Sequence, residues 1–452
     1  MIDFLQHLFA FLFALGVLIT FHEYGHFCIA RRYDVKILRF SIGFGRPLWK
    51  RYFGKDKSEF VIAAMPLGGY VKMLDEREGE VPVHELSRSF NRKPIGQRFA
   101  IVLAGPLFNF IFAILAYWVM YMVGLTGLKP VIGEVMPGSI ADVAGLKSGH
   151  EIIAIDSHKT ATWTMVVDAL INGVIDGEKV QFTVRDPQTS EYKVIVELEN
   201  VSIDDLAEQG LLERLGVKPA QIKVPAVIGS LNAGLAAEKA GFKVEDQIIA
   251  VDGNPIADWA NWVEFIQAHP EEDLTVEVLR NDERLVLQLH PERKETDDGR
   301  SIGFIGAANK PPLTLFAKES YSVFPAFLKA IERTWDMSWV TLRMLGKIIT
   351  GQASYKNLSG PISIAQYAGD SAENGVAAFL WFLGIVSVSL GVLNLLPVPL
   401  LDGGHLMYYL IELVKGSPVS ETAQVLGQQF GLALLLGLMV LVFYNDIMRL
   451  VG

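Results

Sequence analysis

The sequence has one cysteine among 452 residues, which excludes an intramolecular disulfide. Four long stretches almost lack charge, and each is long enough to cross a bilayer as a helix of roughly 20 residues. They cover residues 4–30, 99–123, 376–401 and 421–446. No basic segment precedes the first stretch and arginines follow it, so we interpret it as a retained helix, not a cleaved signal. The pattern predicts a multi-pass membrane protein with residues 127–375 outside the lipid.

Basic residues are concentrated in one loop. Residues 31–98 hold more Lys and Arg than Asp and Glu, whereas residues 127–375 are acidic. Because Lys and Arg near membrane ends stay cytoplasmic, we expect the first segment inside and the second outside, with both termini outside. The net charge is −10, and no nucleic-acid partner is expected.

Charge is unexpected inside the first apolar stretch, yet LITFHEYGHFCIARR places His22, Glu23 and His26 there. An ionisable group in a membrane helix costs about 2.5 kcal/mol or more, which indicates a functional site. Residues four apart share a helix face, so both imidazoles can reach one tetrahedral Zn²⁺. Glu23 can then face the attacking water as general base. Cys28 lies on another side of the helix and is interpreted as a small apolar residue.

The third apolar stretch ends in a broken segment, NLLPVPLLDGGH. Pro397 and Pro399 interrupt helical hydrogen bonding and are also candidate substrate contacts. A broken helix at membrane depth is tolerated where protein or a water-filled cavity covers it. We therefore predict Asp402 as the third zinc ligand, with His405 as the alternative.

HEYGH and NLLPVPLLDGG together resemble the motifs of the site-2 intramembrane metalloproteases, and the chain order resembles the bacterial RseP group. The resemblance implies Zn²⁺ held by His22, His26 and Asp402, with Glu23 as the catalytic base. It also implies that Asn394 contacts the substrate or stabilises the oxyanion.

The same resemblance implies a place and a substrate. The expected place is the bacterial inner membrane, with the exported modules and both termini in the periplasm. The expected substrate is a single-span membrane protein already shortened outside, an anti-sigma factor in envelope stress signalling, with signal-peptide remnants as further substrates. AGPLFN, residues 104–109, and LSGPISIAQ, residues 358–366, resemble other family segments.

The exported segment contains a repeat. Residues 131–163 align without a gap to residues 227–259, and the shared pattern resembles PDZ domains. PDZ domains add a peptide strand to a sheet edge and bind its terminal carboxylate. The candidate groove loops contain Gly216 and Val217 in the first copy, and Gly303 and Phe304 in the second. Capture of peptide C-termini and steric filtering of substrate size both remain open.

Two further segments are expected at the membrane surface. Residues 60–71 are apolar but too short to span the membrane, and Pro66 with Gly68 and Gly69 suits a turn. We predict a re-entrant β-hairpin whose edge, at Gly68 and Gly69, holds an unwound substrate; a small cytoplasmic sheet is the alternative. Residues 321–351 show amphipathic helical spacing, which predicts a helix on the membrane surface, or alternatively one packed on the PDZ-like pair.

The predicted fold is a four-helix membrane domain with a re-entrant β-hairpin, plus two α+β PDZ-like domains. The predicted boundaries are 1–126 for the first two helices and their loop, 127–221 and 222–310 for the PDZ-like domains, 311–375 for the amphipathic region and 376–452 for the last two helices. The rival function is a membrane receptor or zinc carrier. A carrier needs polar groups along a path through the lipid, whereas these groups form a single site.

Overall fold

A computed structural model describes residues 2–156, 158–176, 179–188, 190–198, 201, 210–220, 224–295, 301–309 and 316–451. The helices are α1 (Ile2–Arg32), α2 (Ile95–Val123), α3 (Ile140–Val143), α4 (Trp163–Asp176), α5 (Leu211–Leu215), α6 (Ala236–Lys239), α7 (Trp259–Ala268), α8 (Val323–Ile349), α9 (Pro361–Glu373), α10 (Val376–Leu395), α11 (Asp402–Lys415) and α12 (Glu421–Val451). The strands are β1 (Ile37–Phe53), β2 (Ser58–Met73), β3 (Leu125–Leu128), β4 (Ile132–Val135), β5 (Glu151–Ile155), β6 (His158–Lys159), β7 (Lys179–Arg185), β8 (Glu191–Glu197), β9 (Val217–Pro219), β10 (Ile228–Leu231), β11 (Gln247–Val251), β12 (Asn254–Pro255), β13 (Leu274–Arg280), β14 (Glu283–Leu289), β15 (Glu292–Glu295), β16 (Ser301–Phe304), β17 (Ala307–Asn309) and β18 (Phe316–Glu319). The predicted boundaries at 221/222 and 310/311 lie outside the described residues.

Four helices among the described residues are long and apolar enough to cross a bilayer: α1, α2, α10 and α12. This confirms the predicted multi-pass architecture. Leu18, Phe112 and Phe382 belong to one packed cluster that joins α1, α2 and α10. Helix α10 is shorter than the apolar stretch of residues 376–401 that predicted it. It ends at Leu395, and α11 begins only at Asp402, because the segment containing both prolines cannot continue the helix.

A buried aspartate fastens α12 to the start of α9. Asp446 is 1% exposed and accepts hydrogen bonds from the N–H groups of Gly360 and Ile362, at 3.0 and 2.8 Å. It also accepts from the hydroxyl of Ser363 at 2.6 Å. The first N–H groups of a helix lack partners within it, and Asp446 supplies them. The LSGPISIAQ segment is therefore the capped start of α9.

Between α1 and α2, β1 and β2 form an antiparallel sheet whose strands bend sharply. Gly43 and Gly68 take positive φ angles of 90° and 138°, which glycine adopts readily. As a result, residues 39–42 pair on one side with residues 59–62, and residues 37–42 pair on the other side with residues 69–73. Phe40, for example, pairs with both Phe60 and Val71.

The predicted hairpin over residues 60–71 was wrong in its layout. All of these residues lie in β2, and the reversal between the strands falls at residues 54–57. Gly68 redirects the strand without reversing it onto itself, because residues 37–42 lie between its two halves. Whether the sheet enters the membrane stays a prediction.

The two repeated segments fold alike. The first contains a four-stranded antiparallel sheet in the order β6-β5-β7-β8, and the second contains β12-β11-β13-β14. A two-stranded pair accompanies each sheet, β4 with β9 and β10 with β17. Each unit has its own apolar core, with Leu170 fully buried in the first and Trp262 in the second. We call them the first and second exported units, after the location that the sequence predicts.

A glycine precedes the closing strand of each unit. Gly216 before β9 has φ 77°, and Gly306 before β17 has φ 72°. Their carbonyls accept hydrogen bonds from the N–H groups of Met136 and Asn232, which correspond in the repeat. Gly306 is therefore the structural counterpart of Gly216.

The prediction of Gly303 and Phe304 for this position was wrong in register. Gly303 lies in β16, where an added Cβ would overlap the carbonyl of Ile266 in α7. The apolar-Gly pattern occurs twice in succession, at Ile302-Gly303 and Ile305-Gly306, and the sequence alone did not distinguish them.

The amphipathic pattern left two alternatives for helix α8, a place on the membrane surface or packing on the PDZ-like pair. The helix has one packed face and one exposed face. Ala326 and Ala330 are fully buried in the cluster that contains α2 and α10 residues, and Arg333 pairs with Asp168 of α4 at 2.8 Å. The other face exposes large side chains, including Trp335 at 73%. The helix therefore packs on the membrane helices and on the first exported unit, and its membrane-surface placement stays a prediction.

Candidate active site

The three predicted metal ligands meet at one point. His22 and His26 lie one turn apart on α1, and Asp402 is the first residue of α11. The His22 Nε2 atom is 3.2 Å from Asp402 Oδ2 and 3.3 Å from His26 Nε2. The His26 Nε2 atom is 3.5 Å from the same carboxylate oxygen. Three ligand atoms thus lie within 4.8 Å of one another.

The ring proton of His26 lies on the nitrogen that faces away from the cluster. His26 Nδ1 is 2.8 Å from the main-chain carbonyl of Ile101. A carbonyl only accepts, so Nδ1 carries the proton and Nε2 presents a lone pair to the cluster. Asp402 Oδ2 is buried without a hydrogen-bond partner among the described residues. Lone pairs that face one another repel unless a cation lies between them, and two imidazoles with a carboxylate suit catalytic zinc.

The alternative ligand, His405, is not part of this cluster. It lies one turn further along α11 and lines a neighbouring cavity of about 330 Å³ together with Arg77 and Tyr409. The geometry therefore favours Asp402 over His405 as the third ligand.

Glu23 borders a cavity of about 420 Å³. The cavity is lined by His22, Glu23, His26, Tyr70, Val71, Lys72, Met73, Asn394, Leu400, Leu401 and Asp402, among others. The main chain of Val71 in β2 lies beside Glu23. An added Cβ on Gly69 would lie 3.3 Å from Glu23 Cγ, so β2 runs directly against the carboxylate. The site is thus enclosed by α1, the end of α10, the start of α11 and the last segment of β2.

The remaining predicted contacts divide into two groups. Asn394 lines the cavity from the end of α10, and Gly68 forms the bend that leads β2 into the site. Neither Pro397 nor Pro399 occurs among the described residues that line it. Pro399 instead packs against Gly431 of α12 and holds that helix to the turn before α11.

The groove predicted in the first exported unit coincides with a cavity of about 630 Å³. Val217 lines it beside Val167 and Ile171 of α4 and Leu212 of α5. Gly216 immediately precedes Val217, the first residue of the closing strand β9. The lining is largely apolar, as a site for an extended peptide with an apolar side chain requires.

Three residues shape the helix contact beside the site, and the roles of two of them, Gly105 and Asn109, were missed in the sequence. An added Cβ on Gly25 of α1 would overlap the carbonyl of Ala104, so this glycine lets α1 approach α2. On α2, an added Cβ on Gly105 would overlap His26 Nε2. One turn later, the Asn109 amide lies 3.2 Å from His22 Nδ1. The available signal was AGPLFN, which puts a glycine and a buried amide on one face of an apolar helix.

The chain is similar along its whole length to known bacterial proteins. It is 43% identical over 455 residues to regulator of sigma-E protease RseP of Escherichia coli, and 43% identical over 453 residues to the regulator of sigma E protease of Salmonella typhi. It is 41% identical over 456 residues to a protein named "Putative zinc metalloprotease" in Vibrio cholerae. Each match covers 100% of both chains. These names agree with the predicted zinc and with the RseP group.

The family model covers nearly all of the chain. The model of peptidase family M50 matches residues 10–438, a range that includes the whole cluster from His22 to Asp402. The resemblance seen in the motifs is confirmed, and so is the prediction of a peptidase: the chain belongs to peptidase family M50.

Proposed function

We propose that this chain is an intramembrane zinc endopeptidase in which His22, His26 and Asp402 hold the metal and Glu23 is the catalytic base. The observation that carries the proposal is the convergence of these side chains from helices at opposite ends of the sequence. His22 and His26 lie within a helix apolar enough to span a bilayer. Ionisable residues are costly in a membrane helix, so a purely structural role does not explain their position.

The residues around the cavity have separate roles in the proposed reaction. When bound, zinc acts as a Lewis acid toward the scissile carbonyl and the attacking water. Glu23 accepts a proton from that water and returns it to the leaving amine nitrogen. The side-chain amide of Asn394 donates a hydrogen bond to the oxyanion that develops on the carbonyl oxygen.

The substrate binds as an added β-strand. A transmembrane helix keeps its carbonyls in internal hydrogen bonds, so it must unwind before attack. Residues 69–73 pair with residues 37–42 on one side only within the described part of the chain, and four of them line the cavity. An extended substrate segment pairs with this free edge, which places its main chain beside Glu23.

The substrate class is a single-span membrane protein that has already lost its bulky external part. Relatives named regulators of sigma-E protease support an anti-sigma factor as the substrate, with signal-peptide remnants as others. The protein lies in the inner membrane with its exported units and both termini in the periplasm, because the loop of residues 31–98 is basic. Gly216 and Val217 border a groove that receives a peptide C-terminus; steric filtering by the paired units is the competing role.

The test uses full-length protein purified in detergent, wild type and Glu23→Gln, with a tagged single-span substrate. Both proteins should bind about one zinc, and only the wild type should cleave. Chelation of the zinc should stop cleavage and its return should restore it. Cleavage by Glu23→Gln at the wild-type rate would contradict Glu23 as the base, and absence of zinc from both proteins would contradict the metal site.

A further inference from the structure

Asn109 links three membrane helices at the site. It lies on α2 and is 1% exposed. Its side-chain amide is 3.2 Å from Nδ1 of His22 on α1. Its main-chain carbonyl accepts a hydrogen bond of 2.7 Å from the hydroxyl of Ser387 on α10, which is also fully buried.

The orientation of this amide follows from the role of His22. Since Nε2 of His22 faces His26 and Asp402, it must present a lone pair to the metal, and the ring proton must then be on Nδ1. A proton on Nδ1 needs an acceptor. As placed, the Nδ2 atom of Asn109 faces Nδ1, and Oδ1 is buried without a partner among the described residues. Amide oxygen and nitrogen exchange places on a half-turn, which puts Oδ1 where it can accept a hydrogen bond from the Nδ1–H group of His22.

We propose that Asn109 is a positioning residue that accepts a hydrogen bond from the Nδ1–H group of His22 and so fixes the tautomer and the ring orientation for zinc. The inference rests on the proposed function. The main-chain carbonyl of Ile101 performs the same task for His26. Partners of this kind typically change metal affinity about 10–100-fold when removed. Of the two, only the contact to His22 is made by a side chain, so only this one can be removed by substitution.

The experiment measures zinc affinity of the purified full-length protein by competition with a chelator. Asn109→Leu keeps the branching at Cγ and removes the acceptor, and should weaken zinc binding about 10–100-fold. Asn109→Asp keeps an acceptor and should bind zinc with close to the wild-type affinity. Ser387→Ala is the matched control, because it removes the other hydrogen bond to the same residue and should leave zinc affinity unchanged. Visible spectra of the Co²⁺-loaded proteins should change for Asn109→Leu alone.

The outcomes separate this inference from the proposed function. Wild-type zinc affinity in Asn109→Leu would overturn the positioning role while the zinc site stands. Equal losses in Asn109→Leu, Asn109→Asp and Ser387→Ala would also overturn it, because they would show a packing effect. Thermal unfolding of the metal-free proteins identifies such an effect directly, and Asn109→Ala replaces the leucine variant if that one does not fold. A wild type without zinc would overturn the proposed function and this inference together.

Discussion

The Nε2 atom of His22 lies 3.2 Å from the Oδ2 atom of Asp402, although the two residues stand near opposite ends of the chain. The two glycines after Asp402 make this approach possible. An added Cβ on Gly403 would meet the carbonyl oxygen of Leu395 at 2.5 Å, and one on Gly404 would meet the carbonyl of Val398 at 2.5 Å. The turn between α10 and α11 is therefore tight enough to bring the first residue of α11 back to α1.

Replacing Asp402 should separate the two candidate third ligands. Asp402→Asn keeps the shape and removes the anionic oxygen, so zinc affinity should fall by more than the roughly 100-fold expected for a residue that only supports a ligand. His405→Asn should leave zinc affinity unchanged, because His405 lies outside the cluster. Zinc binding by both purified variants can be measured by chelator competition. The reverse order of effects would assign the ligand role to His405.

The contact between α1 and α2 should tolerate no side chain at Gly25. An added methyl group would overlap the carbonyl of Ala104 and push the helices apart, which should lower the free energy of unfolding by about 1–3 kcal/mol. Gly16→Ala on the same helix is the matched control, since nothing lies within 4 Å of its added Cβ. That change should be neutral or stabilising by up to about 1 kcal/mol. Denaturant titration in mixed micelles gives both values, and equal stability of the two variants would contradict the close contact.

The sequence predicted the site better than the parts that hold it together. His22, His26 and Asp402 were identified because ionisable residues stand out in apolar stretches. The same contrast does not reveal Gly105, which is small, or Asn109, which is neutral. A turn at Gly68 was predicted, but the pairing of β2 was missed because its two halves pair with residues of β1 and not with each other. Tertiary contacts, not local composition, decide both features.

Similar local sequence patterns also limited what could be predicted for the exported units. The repeat correctly predicted two units of like fold, because the 33 aligned positions share three glycines and several apolar residues. It could not distinguish Gly303 from Gly306, since the hairpin of β15 and β16 has no counterpart among the described strands of the first unit. The hydrogen bond from Asn232 to the Gly306 carbonyl resolved the register.

Removing the carboxylate of Asp446 should loosen α12 from α9. Asp446→Ala leaves the N–H groups of Gly360 and Ile362 without their acceptor, a loss of about 1–2 kcal/mol for a helix cap. Hydrogen exchange of the peptide covering residues 358–366 should become faster, because these amides are released. Tyr444→Phe alters an exposed neighbour and should leave their exchange unchanged. Unchanged exchange in Asp446→Ala would show that packing alone holds the two helices.

The ion pair of Asp168 with Arg333 should couple the first exported unit to α8. Burial raises the pKa of Asp168, and Arg333 only partly opposes this. In Asp168→Leu the Arg333 guanidinium cannot lose its charge, so the free energy of unfolding should fall by about 3 kcal/mol. This value is at the lower end for buried pairs, because Asp168 keeps 24% of its side chain exposed. The pair of Lys329 with Glu332 on the same helix is more exposed, and Glu332→Gln should cost less than about 0.5 kcal/mol.

The complementary variant, Arg333→Met, should respond to pH. Without the guanidinium, the raised pKa of Asp168 rises further, because burial then acts alone. A carboxyl whose pKa is higher in the folded than in the unfolded protein stabilises the fold when protonated, and that stability is lost as the pH rises through the folded value. Arg333→Met should therefore lose less free energy of unfolding, relative to wild type, at pH 5 than at pH 8. A deficit that is equal at the two pH values would show that Asp168 reaches water once its partner is gone.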